Sequence, residues 1–181
     1  MSAAEEAKQR GNDLFKARKY RDAVQAYGEA LSHDADNALL LLNRSAAYMA
    51  LSDYKRALSD AERALQLQSP MPSSKAIIRT AKCRLGLGKT RQATDVLRPL
   101  LERRTGTEAE QAQANEVLEQ IQTMERHLVT CEAYVREKNW LLASIALDQA
   151  QSVVHVTDAT SPRDWQELRA MLLLQRCLLY T

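Results

Sequence analysis

The stretch "AKQRGNDLFKARKYRDAVQAYGEAL" (7–31) returns, varied, as "LLNRSAAYMALSDYKRALSDAERAL" (41–65) and "IIRTAKCRLGLGKTRQATDVLRPLL" (77–101), and this recurrence decides the fold. Small residues keep step across the three copies. Ala23, Ala57 and Ala93 share one place; Ala30, Ala64 and Leu100 share another. Ala23 and Ala57 are 34 residues apart, and Ala57 and Ala93 are 36 apart. Each copy is interrupted once, at "RKY", "SDY" or "GLGKT", so each reads as two helices joined by a tight turn. A unit of this size cannot bury its own apolar face, and stability requires neighbours stacked on a shared core. The chain is therefore read as all-α.

The punctuation between copies supports this. Ser2 reads as an N-cap, with Glu5 and Glu6 in the first turn where the helix dipole favours negative charge. Glu6 and Arg10 form an i, i+4 surface pair. The first pair is expected over 3–17 and 20–32, closed by "HDADN"; the second over 38–51 and 54–67. "QSPMPSS" (68–74) breaks the register, and its Ser73 or Ser74 caps the next helix, which explains the two extra residues in the second spacing. The third pair runs from Lys75 to about Arg104. Gly86 and Gly88 supply positive φ at its turn, and Pro99 implies a kink or early end in its second helix. After "RRTGT", with Thr107 as cap, 108–138 lacks Pro and Gly and carries Leu118, Ile121, Leu128 and Cys131 at helical spacing: one long amphipathic helix. Its Gln-rich first half reads as a capping helix, its second half as the start of a fourth pair. "KNW" then turns into "LLASIALDQAQSVV", which puts Ala143 and Ala150 in the small-residue places. Ser161-Pro162 introduces a last helix from Arg163 to about Leu179, apolar from Leu172 to Tyr180, and the chain reads as truncated there.

Composition excludes several classes. Of 181 residues, 45% are apolar and 27% charged, a foldable balance, and the net charge of +2 is too small to argue for nucleic acid or a membrane surface. Cys83, Cys131 and Cys177 are odd in number and lack CxxC spacing, so they read as buried thiols of a reducing compartment. The chain has no charged-then-apolar leader and no apolar run long enough for a transmembrane helix, hence the expectation of a cytoplasmic or nuclear protein. There is no phosphate loop, no GxSxG, no HExxH and no histidine pair, and Cys83 has no base at a recognisable spacing. No enzyme, metal or cofactor is implied.

What stands out is a set of donors on first helices, which line the concave side of such a stack. Lys8 and Asn12 lie four apart on one face, Asn43 falls in the next first helix, and Lys75 and Arg79 lie four apart in the third. Five donors then converge on one groove, suited to a ligand with two close carboxylates such as a peptide ending in an acidic residue. Taken singly, Lys8, Lys75 and Arg79 read as well as solvated surface charges. Asn12 beside Gly11, and Asn43 closing the apolar "ALLLLN", are harder to place that way. Arg44 is expected to pack its stem between repeats.

The period and these residues resemble the tetratricopeptide repeats, implying a solenoid of antiparallel helix pairs. "KQRGN", "NRSAAY" and "KAIIR" resemble the motifs of dicarboxylate-clamp co-chaperone domains, which bind the Glu-Glu-Val-Asp tails of heat-shock proteins 70 and 90. The resemblance implies that Lys8, Asn12 and Asn43 hold the terminal main-chain carboxylate. Lys75 would grip the Asp side chain, and Arg79 would contact the peptide upstream. It further implies a three-repeat clamp domain over 1–104, followed by 105–181 as a linking helix and a divergent further repeat. That continuation is most similar to the amino-terminal part of the tetratricopeptide-rich DnaJ co-chaperones, although no HPD motif is present. A targeting domain of a phosphatase or prolyl isomerase, and a scaffold for internal peptides, stay open beside the adaptor. A monomer is expected, with the apolar C-terminal helix as the surface through which a dimer would form.

Overall fold

A computed structural model describes residues 2–103, 106–154 and 163–178, and every regular element among them is an α-helix. In chain order these are α1 (Ala3–Lys16), α2 (Tyr20–His33), α3 (Ala38–Ala50), α4 (Tyr54–Leu67), α5 (Ser74–Gly86), α6 (Thr90–Arg103), α7 (Glu108–Arg136), α8 (Trp140–Ser152) and α9 (Arg163–Leu178). Sequential helices pack against each other along the whole described chain, giving a tetratricopeptide-type solenoid of antiparallel pairs. No described helix is long and apolar enough to cross a membrane.

Side-chain caps fix where several helices begin. Ser2 accepts the Glu5 N–H at 3.3 Å, Asn37 the Leu40 N–H at 3.1 Å, and Ser73 the Ala76 N–H at 3.3 Å. Thr107 and Glu110 form a reciprocal capping box at the start of α7. Each such cap stabilises its helix by about 1 kcal/mol.

The turns within pairs share one device. Arg18 (φ 59°), Ser52 (φ 58°), Gly88 (φ 70°) and Lys138 (φ 56°) are all left-handed. The next N–H reaches back five residues in every case, Lys19 to Leu14, Asp53 to Tyr48, Lys89 to Arg84 and Asn139 to Tyr134, each at 2.9 Å. This is the six-to-one bond of a Schellman motif, and it satisfies carbonyls that the helix end would leave orphaned. It recurs at Lys138, so α7 turns into α8 by the same bond. Gly88 has the expected positive φ, but Gly86 does not: it is the last residue of α5. Glycine is required there because the Tyr54 ring lies 2.3 Å from where a Cβ would stand.

Small residues set the distance between helices. Ala23, Ala57, Ala93 and Ala143 are fully buried, as are Ala30, Ala64 and Ala150, with Leu100 in the equivalent place of the third pair. Leu100 follows Pro99, and here the early stop read from the sequence is corrected: α6 continues through Pro99 to Arg103. Pro99 is exposed, so the Asp95 carbonyl that loses its helical donor can turn to water. The Glu6–Arg10 pair is also corrected, since Arg10 pairs instead with Glu29 of α2.

The 29 residues of α7 give it a length of about 43 Å. Its first half buries Ala114, Val117 and Ile121 against α5 and α6, and its second half carries Met124 and Cys131 against α8. Just past the end of α8, the chain meets α4 of the second pair through one bond. The Tyr54 hydroxyl donates to the Val154 carbonyl at 3.1 Å, across 100 residues of sequence. In α9, Trp165 and Leu172 are buried, and with Leu168 they carry the W-x2-L spacing of a further first helix. Leu172, expected in an exposed apolar end, faces the core; Leu173 and Leu174 are the exposed pair. A seven-residue step from Trp165 returns to the same helix face, which is why Leu172 is covered. The "HVTDATSP" loop with Ser161-Pro162, the Cys177 side chain and Tyr180 lie outside the described residues.

Candidate functional site

Stacking in register brings first helices together, and α5 touches both α3 and α7. A cavity of about 350 Å³ opens between α1, α2, α3 and α5. Asn12, Asn43, Lys75 and Arg79 all line it, with Gln9, Phe15, Lys16, Tyr27 and Ala46. Lys8 is half-buried one turn before Asn12 on α1 and does not line this cavity.

The two amides are preset as donors. Asn12 Oδ1 accepts from the Tyr27 hydroxyl at 3.0 Å and from Asn43 Nδ2 at 3.5 Å. With its acceptor engaged twice, Asn12 keeps its own N–H groups for a ligand, and Asn43 keeps a second N–H. Tyr27 is the residue that sequence reasoning missed. It comes from α2, behind the groove, and its ring packs on Gly11, 2.7 Å from where a Cβ would be. Gly11, noted only as the neighbour of Asn12, was the signal that a ring passes there.

The cations are held at a cost. Burial lowers the Arg79 pKa, and burial together with the neighbouring Arg79 lowers that of Lys75. Arg79 has a weak contact from Nη1 to the Met49 sulfur at 3.8 Å. Among the described residues, no carboxylate lies within ion-pair distance of Lys8, Lys75 or Arg79. Other arginines of these helices are paired. Arg44 makes a two-pronged bond to Asp60 at 2.8 and 2.7 Å, which raises its pKa, and Arg84 reaches Glu62 at 3.0 Å. Arg44 was expected to pack between repeats; its guanidinium does lie near Gly28 of α2, but its bond is made within its own pair, to Asp60 of α4. Positive groups left unpaired and partly desolvated beside oriented amides make an anion-binding surface.

The buried cysteine of α5 is not activated. Burial pushes the Cys83 thiol up to about 12, so it stays protonated near neutrality. Among the described residues, no cluster of His, Cys, Asp and Glu could hold a metal ion.

No protein-family model matches the chain. It is 39% identical over 93 residues to serine/threonine-protein phosphatase 5 of Homo sapiens, covering 51% of this chain and 18% of that protein. It is 36% identical over 80 residues to the DnaJ homolog subfamily C member 7 homolog of Schizosaccharomyces pombe, covering 43% of this chain and 17% of that one. The chain therefore matches under a fifth of the length of these curated relatives. Among solved structures, the second TPR domain of the human RPAP3 protein, in complex with the HSP70 peptide SGPTIEEVD, superposes with a TM-score of 0.58 at 33% identity, over 66% of this chain and 95% of that one. The P58(IPK) TPR domain superposes with a TM-score of 0.72 at 22% identity, over 97% of this chain and 46% of that one, a likeness of fold.

Proposed function

This chain belongs to the tetratricopeptide-repeat family and is similar to its co-chaperone domains, and from that premise we propose that it is a non-catalytic adaptor for the acidic C-terminal tails of heat-shock proteins 70 and 90 in the cytoplasm or nucleus. The observation that carries the reading is the pair Lys75 and Arg79, without carboxylate partners among the described residues, facing the oriented amides of Asn12 and Asn43 across one cavity. The terminal main-chain carboxylate would take N–H groups from Asn12 and Asn43, with Lys8 approaching from the neighbouring turn of α1. The terminal Asp side chain would meet Lys75, and Arg79 would meet the chain upstream. A relative complexed with a tail ending in Glu-Glu-Val-Asp supports the ligand class.

Titration with a fluorescent Glu-Glu-Val-Asp peptide, beside the same peptide amidated at its C-terminus, tests it. Binding is expected for the free acid and lost on amidation. Asn43→Ala or Arg79→Ala should weaken it by about 1.5–3 kcal/mol, the range for hydrogen bonds to charged groups. Equal affinity for the two peptides would remove the carboxylate reading and leave a scaffold for internal segments. A second reading, the targeting module of a larger enzyme, is favoured by the 39% identity to the phosphatase and uses the same groove.

A further inference from the structure

A second cavity, of about 330 Å³, lies on the other side of α5, between α5 and α7. It is lined by Lys75, Ile78, Arg79, Lys82, Glu110 and Gln113. Lys75 and Arg79 border both cavities, so the face of α5 is their common wall and the two make one track. Lys75, Arg79 and Lys82 stand at i, i+4 and i+7 on that face, where like charges repel. Lys82 is half-buried and, among the described residues, has no carboxylate at ion-pair distance. The one carboxylate among these lining residues, Glu110, is held back from Lys82, beyond ion-pair distance. Glu110 Oε2 accepts the Thr107 N–H at 2.9 Å and the Thr107 hydroxyl at 3.3 Å.

We propose that Lys82 is a specificity-determining residue that selects tails with an acidic side chain three residues before the C-terminal one. The inference rests on the carboxylate reading of the first cavity and adds to it. A terminal Asp supplies two negative charges, enough for the amides and Lys75 but not for the far end of α5. Seven residues of helix rise about 10.5 Å from Lys75 to Lys82. An extended peptide advances about 3.3 Å per residue, so it covers that distance in about three residues. In Glu-Glu-Val-Asp, the residue that arrives is the first Glu. The Gln113 amide offers it a further donor, and Ile78 gives its methylenes an apolar floor.

The test is a double-mutant cycle by fluorescence titration. Wild-type protein and Lys82→Gln, which keeps the helix propensity and most of the stem, each meet peptides ending Glu-Glu-Val-Asp, Gln-Glu-Val-Asp and Glu-Gln-Val-Asp. Wild type is expected to bind the Gln-Glu-Val-Asp peptide about fivefold more weakly than the parent, the scale of a partly exposed ion pair. Lys82→Gln should bind the parent about fivefold more weakly and no longer distinguish it from Gln-Glu-Val-Asp. Glu-Gln-Val-Asp should lose the same factor on both proteins. The proposal falls if Lys82→Gln binds the parent as tightly as wild type does, or weakens all three peptides alike. An amidated parent peptide, run on both proteins, separates the two claims. Retained sensitivity to amidation with a flat cycle sinks Lys82 alone, whereas an intact cycle without that sensitivity sinks the carboxylate clamp. If no tail binds a protein whose circular dichroism is native, both fall.

Discussion

Gly11→Ala is a substitution for which local propensity and tertiary packing predict opposite signs. Gly11 lies inside α1, where alanine is favoured over glycine by about 1 kcal/mol. The added Cβ, however, would stand 2.7 Å from two carbons of the Tyr27 ring and 3.2 Å from a third. Carbon pairs settle near 3.5–4.0 Å, so the ring must retreat by about 1 Å. Tyr27 is 2% exposed and has no room to swing outward. Overpacking of this kind costs about 1–3 kcal/mol, which leaves a net loss of up to about 2 kcal/mol after the helix gain. For a chain of this size the melting temperature should drop by about 2–4 °C for each kcal/mol. The loss should also reach the groove. A displaced ring carries its hydroxyl away from Asn12 Oδ1, and the amide then loses the bond that orients it. Tail affinity should therefore fall in a protein that stays folded at the assay temperature. Thermal melts and peptide titration of Gly11→Ala, Tyr27→Leu and the double variant decide the matter, because the smaller Leu leaves space for the new methyl. The two changes should be clearly non-additive in stability. A Gly11→Ala variant that melts higher than wild type would refute the packing argument.

Three further outcomes are expected. Gly88→Ala should destabilise by about 1 kcal/mol in denaturant melts, since a Cβ at φ 70° is strained; at Arg18 and Lys138, whose strain is already present, glycine should instead be neutral to stabilising by about 0.5 kcal/mol. Tyr54→Phe removes the bond to the Val154 carbonyl and should cost about 1 kcal/mol; faster amide exchange confined to the end of α8 is the signature, and unchanged exchange there would show that the bond holds nothing. Lys75 carries a pH effect of definite sign. Its pKa is lowered on folding, so its penalty is fully present below the folded value and disappears as pH climbs toward the ordinary lysine value. Stability of wild type relative to Lys75→Met should accordingly rise with pH over that window, while tail affinity falls as Lys75 loses the charge that holds the carboxylate.

The repeat was legible because its smallest residues recur in register. Each equivalent of Ala23 and Ala30 is buried where two helices meet, so volume is constrained there whatever happens outside. Turns were legible as places but not as conformations. The left-handed position is Arg, Ser, Gly or Lys in turn, because the Schellman bonds enforce it and side-chain chemistry hardly matters. That is also why Gly86 misled: a glycine near a turn suggested backbone freedom, when its role is to let the Tyr54 ring approach. Pro99 misled for a related reason. Pro loses one helical bond and crowds the carbonyl four residues back; at Pro99 that side is exposed, so water can take the freed carbonyl, and exposure is set by the neighbouring helix.

The groove divides along the same line. Asn12, Asn43, Lys75 and Arg79 were legible because each is polar at a position facing neighbouring first helices, and helical spacing alone brings them to one cavity. What spacing could not show is which charges are free. Arg44 and Arg79 stand one place apart in successive repeats, since Arg79 matches Asn43 and Arg44 matches Thr80, and their side chains do opposite things. Asp60, on the helix packed behind α3, captures Arg44; among the described residues Arg79 meets only the Met49 sulfur and no carboxylate. The partner that makes the difference is contributed by another helix, so a single first helix read alone cannot reveal it. Lys82 belongs to the same class of residue. Its freedom from an ion pair depends on where the Thr107 cap fixes Glu110 on the opposite wall, 28 residues further along the chain (110 − 82). Charge becomes function in this fold where the second helices and caps leave a cation without a partner.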